Sequence, residues 1–316
     1  LVEIKNVCVL GGSGFVGRHI VHQLSERGIN VRVLTRSYES GKHLTVLPGM
    51  SLVRANVHDP ADLRRQFEGM DAVINLVGIL HERKAGDFEK NHVELPRKVV
   101  EACLAAGVRR LLHMSAQGAD PNGLSRYQRT KGQGEALVLQ AGNDRLKVTV
   151  FRPSVIFGRE DTFLNMFANV LKWSPVFPLG SPNAKLQPVF VDDVARAYVA
   201  SLSNPATFGH RYELCGPKVY TLRELVEFVA KTRGYCRVIL CLNDRLSYLQ
   251  AWVFEKLPVK ILTRDNYYSL KTDNVCPNEF PAVFGFRPTA LEVVAPQYLA
   301  GNDTDRYRDI RRRAGR

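Results

Sequence analysis

Three side chains in one stretch of this chain are of types that together move protons: Ser115 in LLHMSA and, twelve residues on, Tyr127 and Lys131 in YQRTK. A free phenol has a pKa of about 10 and is a poor base at neutral pH, so it needs a neighbouring cation to favour the phenolate. Four-residue spacing at the start of a helix puts Tyr127 and Lys131 on one face, where the ammonium would supply that cation. Ser115, at the end of a predicted strand, would hold a carbonyl or hydroxyl oxygen beside the phenol. Taken singly, a tyrosine and a lysine at this spacing also make an ordinary surface pair. The elements around them decide between the two readings.

The first of those elements is KNVCVLGGSGFVG, residues 5–17, where an apolar run breaks into Gly11, Gly12, Gly14 and Gly17. Glycines at a strand-to-helix turn let the backbone bend tightly, approach a pyrophosphate and pack the helix start against the strand; the helix N-terminus supplies free N–H donors and positive dipole. Val7 to Leu10 reads as the strand, and Phe15, Val16, Ile20, Val21 and Leu24 recur at helical spacing on one face. The expected pyrophosphate contacts are Gly11, Gly12, Ser13, Gly14, Phe15, Val16 and Gly17. A nicotinamide dinucleotide bound there would bring a hydride carrier to Ser115, Tyr127 and Lys131. After the second predicted strand the chain reads Leu34-Thr35-Arg36-Ser37, with no acid for the ribose hydroxyls and an arginine for an additional phosphate. This favours NADP(H) over NAD(H), with Arg18 in support; an exposed loop arginine is the plain alternative for Arg36.

Strands are expected over 30–34, 51–54, 72–77, 109–114 and 147–151, and helices over 60–67, 88–106 and 125–141, the rhythm of parallel β-α-β units. The fold class is α/β, a Rossmann-type doubly wound parallel sheet with a smaller α/β C-terminal substrate lobe. The dinucleotide-binding domain is expected over 1–157, with 187–206 returning to it, and the capping lobe over 158–186 and 207–316. Within the lobe, Phe163, Met166, Phe167, Val176 and Phe177 either form its core or wall a site for a hydrophobic, quinone-like or isoprenoid molecule. The helix over 244–256 either packs Leu246, Leu249 and Trp252 inward or lies on a membrane surface.

The 316 residues, 45% hydrophobic and 24% charged, read as an ordinary globular chain with no run apolar enough to span a bilayer. Glu3 and Lys5 in the opening run argue against a secretory leader. A net charge of +13 favours anionic partners: nucleotide phosphates, anionic lipid or nucleic acid. Part of that excess lies in the basic tail, 306–316. No nucleic-acid module or basic stretch interleaved with stacking aromatics is present, so nucleic acid is the least favoured. The six cysteines lack metal or redox spacing and are expected as reduced thiols of a cytoplasmic protein, Cys8 in the core. His19 and His22 share a helix face without a carboxylate partner in the sequence pattern, and no metal site is expected.

Taken together, GGSGFVG, YQRTK, NVHD, NLVG, FRPSVIFG and VFVDDVARA resemble the extended and atypical short-chain dehydrogenases/reductases related to sugar-nucleotide epimerases, over nearly the whole chain. The resemblance implies that Asp59, with Val57, lies near the adenine, that Leu76, Val77 and Gly78 run along the cofactor, that Asn91 in KNHVE shapes the site, and that Pro153 and Val155 lie by the nicotinamide. It implies Tyr127 as general acid/base, Lys131 tuning it and holding the ribose, and Ser115 positioning an unknown small-molecule substrate. ILTRDNYYSLKTDNV and FGFRPTALEVVAPQYL are similar to bacterial homologues of the nucleotide-binding accessory subunit of respiratory complex I. That likeness implies NADPH held tightly as a structural component and a contact with the respiratory complex, peripheral to the inner membrane face.

Overall fold

A computed structural model describes residues 3–257 and 262–300 of the chain. Seven parallel strands form one sheet: β1 (Asn6–Leu10), β2 (Asn30–Thr35), β3 (Met50–Arg54), β4 (Ala72–Asn75), β5 (Arg110–Met114), β6 (Lys147–Pro153) and β7 (Arg211–Leu214). Their spatial order is β7-β6-β5-β4-β1-β2-β3, so the winding reverses between β1 and β4. At such a reversal the connecting segments leave in opposite directions, and a crevice opens beyond the carboxyl ends of the strands.

The strands are apolar on both faces because helices cover both. Val7 and Val9 of β1 face a core closed by helix α1 (Phe15–Glu26). Cys8 and Leu10 face the opposite core, closed by α2 (Pro60–Phe67), α3 (Leu95–Ala106) and α4 (Arg126–Gln140). Ile20, Val21 and Leu24 of α1 are fully buried, each contributing about 1.5–3 kcal/mol, and this burial fixes where the glycine turn before α1 must lie. The lobe helices are α5 (Phe163–Trp173), α7 (Leu222–Thr232), α8 (Asp244–Glu255), α9 (Arg264–Ser269) and α10 (Leu291–Leu299), while α6 (Val191–Ser201) returns to pack on α1.

Two expectations change. The lobe boundary placed at 207 falls short, because β7 pairs with β6 in the main sheet and Phe284 joins the core beneath α1 and α6. Cys215 and Cys276 are joined in a disulfide, so the reading of six reduced thiols fails for this pair. Folding brings the end of β7 beside a segment 61 residues later, a proximity that no local spacing encodes. Cys8 and Cys103 are buried thiols as core residues should be. His19 and His22 each meet a carboxylate of their own: His19 Nδ1 lies 2.6 Å from Asp192 and His22 Nδ1 lies 3.4 Å from Glu26.

Among the described residues no helix is long and apolar enough to cross a membrane. The basic tail, 306–316, lies outside the described residues.

Candidate functional site

The glycine turn sits at the strand-order reversal. Gly11 has φ +79°, a left-handed conformation that a side chain resists, and a Cβ there would meet Leu76 after β4 at 3.4 Å. The Gly14 amide donates to the Gly11 carbonyl at 3.0 Å, closing the turn. A Cβ on Gly12 would press on Val33 at 2.9 Å, and one on Gly17 would run into the Gly11 carbonyl and the Gly12 backbone. Both positions therefore require glycine to keep α1 against the strand. The first-turn amides of Phe15, Val16 and Gly17 lack intrahelical acceptors by helix geometry. Bare backbone, free donors and a helix N-terminus together fit a diphosphate, with Ser13 in the loop between them.

The remaining expected cofactor residues line the same carboxyl edge. Arg36 is exposed immediately after β2. Val57 is buried after β3, while Asp59 spends its carboxylate on the N-cap of α2, accepting the Ala61 amide at 3.0 Å. After β4, Asn75 Oδ1 accepts the Val77 amide at 3.2 Å and shapes the Leu76 to Gly78 run. A Cβ at Gly78 would come within 3.8 Å of the Lys131 ammonium and 3.9 Å of His92 Nε2, so these three residues meet at one point. Pro153 ends β6, and the Val155 amide donates to Asn274 Oδ1 at 3.2 Å, tying that edge to the C-terminal part of the chain.

Tyr127 and Lys131 project from the start of α4, whose capping box of Ser125 and Gln128 fixes the first turn. The half-buried Tyr127 ring sits edge-on to His92 (5.5 Å between centroids) and Phe88 (6.0 Å). Burial, and then the Asp265 carboxylate, push its phenol up to about 12. The sequence reading expected a depressed phenol; instead the Lys131 ammonium is spent on the Met114 carbonyl, 2.7 Å away at the end of β5. Burial pulls Lys131 itself down to about 8, against the opposing pull of Glu135.

Ser115 has a partner within the protein. It is buried, and its hydroxyl donates to Glu135 Oε2 at 2.5 Å. Glu135 in turn pairs with Arg152 at 2.7 Å and Arg211 at 3.1 Å. Ser115 thus braces β5 to α4, β6 and β7, with its one O–H donor given to Glu135.

A family model for the NAD dependent epimerase/dehydratase family matches residues 7–215, from β1 through the end of β7. The chain belongs to this family. It is 30% identical over 312 residues to the mitochondrial NADH dehydrogenase (ubiquinone) 1 alpha subcomplex subunit 9 of Mus musculus, covering 95% of this chain and 81% of that protein. It is 35% identical over 283 residues to the Arabidopsis thaliana counterpart, covering 84% and 70% respectively. The NADPH-dependent quinone oxidoreductase of Escherichia coli, solved with NADPH, superposes with a TM-score of 0.75 over 93% of this chain and 100% of that one, at 18% identity; that likeness is one of fold.

Within this epimerase/dehydratase frame the structure adds residues that the sequence reading passed over. Asn91 was singled out, and its amide donates to the Asp87 carbonyl at 2.7 Å; the neighbouring His92 is the one that reaches the centre. Both lie in a π-helical turn, Lys90–Glu94, a feature that tends to mark functional positions. His92 Nε2 accepts the Ile79 amide at 3.2 Å, which leaves the proton on Nδ1 to donate to Thr130 Oγ1 at 3.0 Å. Burial and the Lys131 charge hold His92 neutral, its pKa down at about 3. Of the lobe residues singled out, Phe167 is buried with Phe163, Met166 and Phe177 packed around it, as in a core, while Val176 is exposed.

Proposed function

We propose that the chain binds NADP(H) along the carboxyl edge of the sheet and that Tyr127 donates a proton to the oxygen of a carbonyl or quinone substrate. A bound nicotinamide supplies the hydride. The observation that carries this reading is the pairing, on one wall of α4, of a phenol held protonated with a buried ammonium beside Gly78. A phenol pushed up to about 12 stays protonated at neutral pH, which suits a proton donor. Lys131, at about 8, remains largely charged at pH 7 and holds the ribose. Arg36, exposed after β2 with no acid in residues 34–37, supports NADP(H) over NAD(H). Tyr127→Phe removes turnover and spares cofactor binding; unchanged turnover refutes the donor role. Equal or tighter binding of NADH in a paired titration defeats the role of Arg36.

A second reading, a nucleotide-loaded accessory component of a respiratory NADH dehydrogenase, draws support from Ser115, whose hydroxyl Glu135 holds, and from the named relatives. In that case NADPH co-purifies, raises Tm by mass action, and is oxidised by no quinone or carbonyl offered. The α8 helix supports a peripheral contact with an anionic bilayer. Of its residues only Ser247 and Ala251 are buried, whereas Leu246, Leu249, Trp252 and Val253 are each 44–51% exposed, flanked by exposed Arg245 and Lys256. Such a face suits the interfacial region of a membrane, with about 1 kcal/mol per basic residue added at an anionic surface. Flotation with liposomes rich in phosphatidylglycerol, lost in Leu249→Ser/Trp252→Ser, is the expected result; no co-flotation removes the contact.

A further inference from the structure

At the opposite end of the sheet from the glycine turn, a crevice of about 650 Å³ opens beside the amino ends of β5 and β6. Its volume lies in the range of small-molecule sites. Its apolar wall is Ile4, Leu104, Val108, Leu202, Pro205 and Phe208, with Leu104 42% exposed. The charged residues are Arg109, Arg110, Arg145, Lys147 and Asp144. Asp144 pairs with Lys147 at 2.9 Å, which leaves three guanidinium groups with no carboxylate partner among the described residues.

Arg110 makes the charge imbalance acute. It is 2% exposed, and its bonds all end on neutral acceptors: the carbonyls of Leu202 (3.3 Å), Lys147 (3.0 Å) and Ser201 (2.9 Å), and the hydroxyls of Thr149 (2.7 Å) and Thr207 (3.0 Å). Its carbon lies 4.5 Å from the centroid of the Phe208 ring. Buried charges are normally paired, because dipoles recover only part of the lost hydration. Here no described residue supplies the compensating negative charge, and the apolar wall runs beside the place where it would sit.

We propose that this crevice binds a long-chain carboxylate, with the hydrocarbon along Leu104, Leu202 and Phe208 and the head group between Arg109 and Arg145 in the field of Arg110. An anion alone would not need the apolar wall, and a neutral chain would not need three arginines. The site is separate from the dinucleotide edge, so its occupancy does not depend on the proposed chemistry there.

The test uses the full chain and displacement of a fluorescent fatty acid below micellar concentration. Oleate competes saturably at one site per chain, oleyl alcohol at least tenfold more weakly, and inorganic phosphate not at all. Arg109→Ser/Arg145→Ser and, separately, Leu104→Glu each weaken oleate at least tenfold while NADPH affinity is unchanged; all three positions are exposed, and far-UV circular dichroism checks that the variants fold. Equal competition by oleate and oleyl alcohol, displacement by phosphate alone, binding only of vesicles, or oleate affinity unaltered in both variants overturns the proposal.

Discussion

The Asp265 carboxylate accepts the backbone amide of Tyr127 at 3.1 Å, and its other oxygen accepts the Arg126 amide at 2.7 Å. A residue of α9 therefore caps the helix that carries Tyr127, and Ser269 reinforces the join by donating to the Ser125 hydroxyl at 2.8 Å. A carboxylate at a helix N-terminus stabilises the helix through both hydrogen bonds and dipole. The same charge raises the Tyr127 phenol. Asp265→Asn keeps the size and removes the charge, so the phenol titrates lower and stability falls by about 1 kcal/mol. The check is the fluorine NMR titration of difluorotyrosine placed at 127: a midpoint identical in both backgrounds contradicts the electrostatic link.

Gly17→Ala tests the cradle. The added methyl collides with the Gly11 carbonyl and Gly12 backbone, neither of which can rotate away. A cost of about 1–3 kcal/mol is expected for overpacking, with dinucleotide affinity down at least tenfold. Retained affinity with a normal melting curve would show that α1 does not need this close approach.

Acid should destabilise the protein through His92 and His113. Both are buried, and burial holds the pKa of His92 down at about 3 and that of His113 well below its usual value. The unfolded chain binds these protons below about pH 6.5 while the folded chain refuses them. Stability is full above about pH 6.5 and falls as pH drops toward 4, by about 1.4 kcal/mol per unit for each group. Denaturant titrations across that window measure the slope, and His92→Gln lessens it; an unchanged slope removes His92 from the account.

Replacing both Cys215 and Cys276 by serine opens a loop of 61 residues. Loop-closure entropy places the loss at about 4 kcal/mol. Melting with and without reductant should reproduce it in the unaltered protein and leave the double variant unmoved. A reductant effect that persists in the double variant would assign it elsewhere.

The parts of this molecule legible in its sequence are those whose cause is local. Strands buried on both faces announce themselves as apolar runs, as in Val7 to Leu10; the glycine turn follows from backbone constraints within a few residues, and helix α2 spans Pro60 to Phe67, the range its pattern predicts. What stayed hidden depends on distant chain segments. Glu135 captures Ser115 through the packing of α4 on β5, and His92 reaches the centre because a π-helical turn rotates it there. Asp265 meets Tyr127 from 138 residues away. The outward face of α8 was one of two open readings, since Leu246, Leu249 and Trp252 have the same spacing whether they face a core or water.

Gly134 of α4 lies so close to the His92 carbonyl that even a methyl group would have no room. The helix that carries the Tyr127–Lys131 pair therefore meets the segment that carries His92 backbone to backbone at this point, and any side chain at 134 would part them.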